Sequence, residues 1–203
     1  MSGLTGAGRE RRGSQRVLRA LAAVVVLIGG MWLLEAFDYA TVGTLDLYGI
    51  TPRRISELDD IFFAPFLHAG FVHLMANTIP LLVLGFLTAL RGVGRLATVS
   101  LIVIVVGGAG VWLIAPPNTV TLGASILIFG YFGYLLARGI IDRRPGDIVV
   151  AVVVALLYGT MIFGILPGHP GVSWQGHMFG LIGGVLAAWL LRRGGPSSVR
   201  ASR

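Results

Sequence analysis

His73-Leu74-Met75-Ala76-Asn77, inside the apolar run of residues 67–90, decides how this chain is read. The spacing of four puts His73 and Asn77 on one face of a helix, about one turn apart. Two further polar residues, Ser125 and His177, interrupt other apolar runs. An ionisable side chain inside a membrane segment is costly, so its default reading is a functional site. A hydroxyl and two imidazoles in such segments point to chemistry before packing.

The composition supports a membrane setting for those runs. Of the 203 residues, 55% are hydrophobic and 12% charged, against about a quarter charged in soluble domains. This specifies an all-α integral membrane protein. The length allows about six helices of ~20 residues with short loops, one compact bundle and no separate soluble domain. All sixteen basic residues are arginines lying in tails and loops, a topology signal and not a nucleic-acid surface. There is no cysteine, hence no disulfide framework, thiolate nucleophile or thiolate metal site.

Hydrophobic runs bounded by charges and Pro/Gly clusters predict six spans near residues 17–36, 67–90, 96–115, 120–138, 147–166 and 172–191. Residues 1–14 read as a disordered cytoplasmic tail, 15–193 as the six-helix membrane domain and 194–203 as a second cytoplasmic tail. The first span follows Arg9, Arg11, Arg12, Arg16 and Arg19 but lacks a small-residue cleavage site, so it is expected to be a retained helix. Fourteen of the sixteen arginines fall in the tails and in the second and fourth loops, and only Arg53 and Arg54 in the first. Cytoplasmic loops carry the excess of arginine, which places both termini inside and the protein in the cell membrane. The long first connection, residues 37–66, contains Phe62, Phe63, Pro65 and Phe66. It is expected to fold onto the outer membrane face, as an amphipathic support or as a partly exposed linker.

This topology sets depth. At helical rise, His73 lies about 27 Å from Arg91, Ser125 about 20 Å from Arg138 and His177 about 22 Å from Arg192. All three polar groups therefore sit towards the outer surface, where water needed for hydrolysis has access. A serine hydroxyl becomes an effective nucleophile when a base takes its proton, and His177 is the candidate base. With no acidic residue near either segment, a Ser125/His177 dyad is expected. The amide of Asn77 suits a developing oxyanion, and His73 can add an N–H. Backbone amides near Ser125, at a helix N-terminus, would complete the hole, with Gly123 allowing close backbone approach.

Other readings compete. Ser125 and Asn77 taken singly fit interhelical hydrogen bonding. His68, His73 and His177 could ligate a metal, but no H-E-x-x-H motif or membrane carboxylate accompanies them, so neither metal nor other cofactor is expected. A transporter or channel would spread its polar groups through the whole depth of the bundle.

With these residues in place, the chain resembles the rhomboid family of intramembrane serine proteases. The resemblance rests on His73-x-x-x-Asn77, Gly123-Ala124-Ser125 and His177-x-x-Gly180-x-x-x-Gly184, in the family's order on the second, fourth and sixth helices of a six-helix core. His68 also fits, and the likeness spans residues 15–193. It implies a six-transmembrane-helix bundle that cleaves peptide bonds in or beside the transmembrane helices of other membrane proteins, with lipid as its surroundings. Ser125 would be nucleophile and His177 base. The alternative it implies is a catalytically inactive adaptor or quality-control protein that binds transmembrane helices.

The chain departs from the family pattern in places. Ile126 follows the serine where glycine is common, and its bulk is expected beside the substrate cavity. Phe129 stands where better-known members carry a tyrosine packed on the catalytic histidine, so stacking is expected without the hydroxyl. The first loop lacks the family's common Trp-Arg pair. Gly176, Gly180 and Gly184 form a small-residue stripe that lets the sixth helix approach a neighbour. The fifth loop, Leu166 to Gly171, is Gly/Pro-rich and suited to a mobile cap, with His169 read as a loop residue.

Overall fold

The computed structural model describes residues 3–168 and 170–192. His169 and the expected tail at 194–203 lie outside the described residues. Seven α-helices follow in order: α1 Gly3–Ala40, α2 Asp60–Phe63, α3 Phe71–Ala89, α4 Val93–Ile114, α5 Ser125–Ile141, α6 Pro145–Tyr158 and α7 Trp174–Leu190. Six have 14 residues or more and correspond to the six expected spans, while α2 is a single turn in the first connection. Four segments are long and apolar enough to cross a membrane: Gly13–Ala40, Phe71–Ala89, Val93–Ile114 and Pro145–Ile165. A shorter apolar helix, Ser125–Ile141, accompanies them.

The helix ends follow local chemistry. Pro116-Pro117 stops α4, Pro145 occupies the first turn of α6, and the Ser173 hydroxyl caps α7 by accepting from the Gly176 amide. Two boundaries differ from expectation. Helix α1 begins at Gly3, inside the segment read as a tail. Helix α5 starts at Ser125 and not near residue 120, because Val120 to Ala124 is drawn into contacts outside any helix. Thr121 bridges Ile50 in antiparallel fashion, and the Gly123 amide donates to the Ala64 carbonyl at 2.9 Å.

Those contacts tie down the first connection. The Arg53 amide donates to the Trp112 carbonyl, and the Trp112 indole donates to the Arg54 carbonyl at 3.1 Å. Ile61, Ala64 and Pro65 are buried, and Ile61 packs on Gly108 of α4. The connection is therefore packed on the bundle through its apolar residues while Arg53 to Ser56 stay exposed. Trp112, from α4, anchors the arginine pair that lacks a tryptophan beside it in sequence.

Helix α5 is the centre of the bundle. Thirteen of its 17 residues are buried, so it is surrounded by protein, whereas only 6% of the apolar window in Pro145–Ile165 is buried. Glycines set the close approach of α4, α5 and α7. A Cβ on Gly133 would lie 2.6 Å from the Leu181 carbonyl oxygen, and one on Gly180 or Gly184 would collide with the Ile126 or Gly130 carbonyl oxygen. In lipid, where burial of apolar surface gives no preference for helix over solvent, such backbone proximity is what makes helices associate.

The far end carries an ionic cluster. Arg138, expected in a loop, is buried in the last turn of α5 and bonds the Tyr134 hydroxyl, Asp142 and Asp147. Arg91 also pairs with Asp147. One carboxylate at the head of α6 thus holds the α3–α4 turn and α5 to a helix otherwise facing lipid. Asp147→Asn removes that charge while Arg138 stays buried. It is expected to lower stability by about 3 kcal/mol, read as unfolding in mixed micelles, with Asp142→Asn less severe because Arg138 then keeps Asp147.

Candidate active site

The polar residues singled out in sequence converge at the end of the bundle opposite the ionic cluster. His73 and Asn77, on consecutive turns of α3, both face Gly123. A Cβ on Gly123 would come 2.7 Å from Cε1 and 2.9 Å from Nε2 of His73, and 3.8 Å from Nδ2 of Asn77. Gly123 also has φ +123°, a conformation that side chains resist. Glycine is required here twice over, by backbone conformation and by the approach of the His73 ring.

The amides before Ser125 are partly engaged. That of Gly123 donates to Ala64, and that of Ala124 donates to Nε2 of His68 at 3.2 Å. The Gly123 N–H is therefore already engaged, and the close backbone approach expected of Gly123 is seen in its contact with the His73 ring. The first amide left open is that of Ser125 at the head of α5, where the helix dipole favours negative charge. His68 meets His73 edge-on with ring centroids 5.1 Å apart. It is a scaffold for the turn before Ser125. Among the described residues, no three His, Cys, Asp or Glu side chains converge as a metal ion would need.

His177, in the first turn of α7, is fixed on two sides. Its ring stacks on Phe129 with centroids 4.0 Å apart and planes 10° from parallel. Its Nδ1 lies 2.9 Å from the carbonyl oxygen of Gly164, in the 3-10 helix Gly159–Ile165 that continues α6. A carbonyl only accepts, so Nδ1 carries the hydrogen and Nε2 keeps its lone pair. Phe129 follows Ser125 by one helical turn, so the ring that supports His177 rises from the same face of α5 as the hydroxyl. Ser125 and His177 are each half-buried.

Ile126 turns away from the face of α5 that carries Ser125. It is 1% exposed and fills the seam of α5 with α4 and α7, where a Cβ on Gly107 would meet its Cγ2 at 2.5 Å and one on Gly176 its Cγ1 at 3.1 Å. The reason is helical geometry, since consecutive residues point about 100° apart. Its bulk shapes helix packing.

Two buried donors in the site, Nδ1 of His68 and Nδ2 of Asn77, have no partner among the described residues. Nδ2 of Asn77 makes no hydrogen bond among the described residues, although Asn77 is 8% exposed. An unsatisfied buried amide carries a cost of about 1–3 kcal/mol, and such sites commonly await a ligand or water.

A multi-pass helical membrane protein with histidine, asparagine and serine gathered at one end is the class these features define. Residues 56–194 match the Rhomboid domain. The chain is 43% identical over 176 residues to an uncharacterized protein of Mycobacterium tuberculosis, covering 83% of this chain and 73% of that one. An uncharacterized protein of Mycobacterium leprae is likewise 43% identical over 176 residues, 83% of this chain and 70% of that one. Rhomboid-like protease 5 of Toxoplasma gondii is 32% identical over 152 residues, 73% of this chain but 18% of that protein. The chain belongs to the rhomboid family, a family of intramembrane proteases.

Proposed function

We propose that the protein is an intramembrane serine endopeptidase, with Ser125 as nucleophile and His177 as general base, acting on transmembrane helices of other proteins. The observation that supports this most directly is the unpartnered Asn77 amide beside the backbone leading into Ser125. That donor is free to meet an oxyanion formed at Ser125.

The reaction proceeds as follows. Oγ of Ser125 attacks the scissile carbonyl carbon while Nε2 of His177 takes the hydroxyl proton. The carbonyl oxygen, now negative, receives hydrogen bonds from Nδ2 of Asn77, from His73 and from the Ser125 amide. The C–N bond breaks, and imidazolium passes its proton to the leaving amine. Water then attacks the acyl-serine, His177 takes its proton, and the carboxylic product leaves with Oγ reprotonated. The Gly164 carbonyl substitutes for the acid of a triad in fixing the ring and its tautomer. Being neutral, it stabilises imidazolium less than a carboxylate would.

The site lies at the end away from the arginine-rich loops, which puts cleavage near the outer face of the cell membrane with both termini cytoplasmic. The thinly covered α6 borders the site through Gly164, giving a substrate helix a route from the lipid. Gly180 and Gly184 serve by packing, letting α7 bring His177 to α5. A helical peptide bond is shielded, so substrates carry helix-weakening Gly or Pro near the cut.

A fluorophosphonate probe tests this reading, because it reacts with a serine only when a base activates the hydroxyl. The purified protein in lipid should gain one adduct, mapped by mass spectrometry to the peptide containing Ser125, and His177→Ala should not. Absence of labelling in the wild type would favour the inactive helix-binding adaptor. Phe129→Ala, which removes the stacking support of the base, should label about tenfold more slowly, while Phe129→Tyr keeps the rate.

A further inference from the structure

Along α1, Ala20, Val24, Ile28 and Met31 form a buried stripe packed into the bundle. Nearer the amino terminus Gln15, Arg16 and Arg19 are exposed. At this level α3 has ended and the chain turns through Gly92 into α4. Gln15, Arg16 and Arg19 line a cavity of about 480 Å³ together with Ala89, Gly92 and Val93.

The electrostatics of this cavity are one-sided. Neither Arg16 nor Arg19 forms an ion pair among the described residues, although Arg91 and Arg138 at the same end of the bundle are matched by Asp147 and Asp142. Helix α4 opens at the cavity wall with no side-chain cap and no acidic residue in its first turn. Its first backbone bond from Leu96 reaches Gly92, leaving the Val93 and Gly94 amides without an acceptor among the described residues. Two guanidinium groups and the positive end of a 22-residue helix therefore converge on a space that holds no counter-charge.

The surroundings are apolar. Leu18, Leu21 and Val93 are exposed beside the arginines, as suits surface lying against hydrocarbon. We propose that the cavity binds the phosphate headgroup of an anionic glycerophospholipid, from the leaflet that borders this end of the bundle. Arg16 and Arg19 grip the phosphate, the α4 amides supply further donors, and Gln15 meets the glycerol oxygens. The acyl chains lie along Leu18 and Leu21. A bound lipid would fasten the amino-terminal part of α1 to the α3–α4 turn.

The test uses the full-length protein in neutral detergent, with lipid binding read by native mass spectrometry and by thermal unfolding. The probes are short-chain phosphatidylglycerol, short-chain phosphatidylcholine and inorganic phosphate. Phosphatidylglycerol is expected to bind and raise Tm, the other two to do neither at equal concentration. Arg16→Gln with Arg19→Gln should weaken phosphatidylglycerol roughly 30-fold. Val93→Glu, which keeps both arginines but puts a carboxylate in the cavity, should do the same, and decides the matter if the double variant is poorly folded. Unchanged phosphatidylglycerol binding by these variants would overturn the site, and inorganic phosphate as effective as the lipid would overturn its assignment to a lipid. Ser125→Ala should bind phosphatidylglycerol as the wild type does, so this site and the proposed hydrolytic reaction fail or stand separately.

Discussion

Ser125→Ala is expected to reduce cleavage of a model transmembrane substrate in proteoliposomes by on the order of 10⁴-fold or more, with folding unchanged. The size follows from the proposed roles. No second nucleophile is placed to substitute: there is no cysteine, and Ser173, the serine at the head of α7, spends its oxygen capping the Gly176 amide. Removing the hydroxyl also leaves His177 with nothing to deprotonate except water, which the half-buried site must admit and orient unaided. The Oγ makes no hydrogen bond among the described residues, so stability should change little. Measured as initial rate of product formation with matched protein and lipid, equal cleavage by Ser125→Ala and wild type would remove the proposed mechanism altogether.

Gly184→Ala should destabilise the bundle strongly, by about 3 kcal/mol. The added Cβ would fall on the Gly130 carbonyl oxygen, and 2.8 Å from both the Gly130 carbonyl carbon and the Tyr134 amide nitrogen. These are backbone atoms of α5, so no side-chain rotation relieves the clash and the helices must separate. Separation also tilts the face of α7 that carries His177, two turns away, off Phe129 and Gly164. Activity should therefore fall along with the unfolding midpoint. Gly29→Ala on α1 is the control: nothing lies within 4 Å of its Cβ, and the better helix propensity of alanine should leave stability equal or higher. A Gly184→Ala protein as stable as wild type would mean that α5 and α7 are not in backbone contact.

The candidate site was legible in part because its spacing is local. His73 and Asn77 are one turn apart, and Ser125 and Phe129 likewise, so helical periodicity alone assigns each pair to one face. The contacts between pairs were not legible. Nothing in the sequence marks Gly164 as the partner of the His177 imidazole, because the contact is made by a carbonyl, which every residue possesses. The bond from the Ala124 amide to His68 also joins residues 56 positions apart, and His68 showed only as a histidine near the start of a span. The place of Ile126 was not legible for a related reason. Sequence adjacency to Ser125 suggests a shared cavity, whereas the helical rotation between neighbours turns one towards the site and the other into the glycine seam of α4 and α7.

By itself, the sequence determined that this is an all-α protein of membrane-spanning segments, because a hydrocarbon solvent permits few structures and demands long apolar runs. It also determined which polar residues stand out, since each is conspicuous against such a background. The tertiary structure alone decided where α5 begins, how the first connection is anchored, which amides before Ser125 are already engaged and what holds His177. These depend on hydrogen bonds and backbone contacts between segments distant in the chain. Such contacts arise from the close fit of whole helices, a property of the assembled bundle that no single stretch of residues encodes.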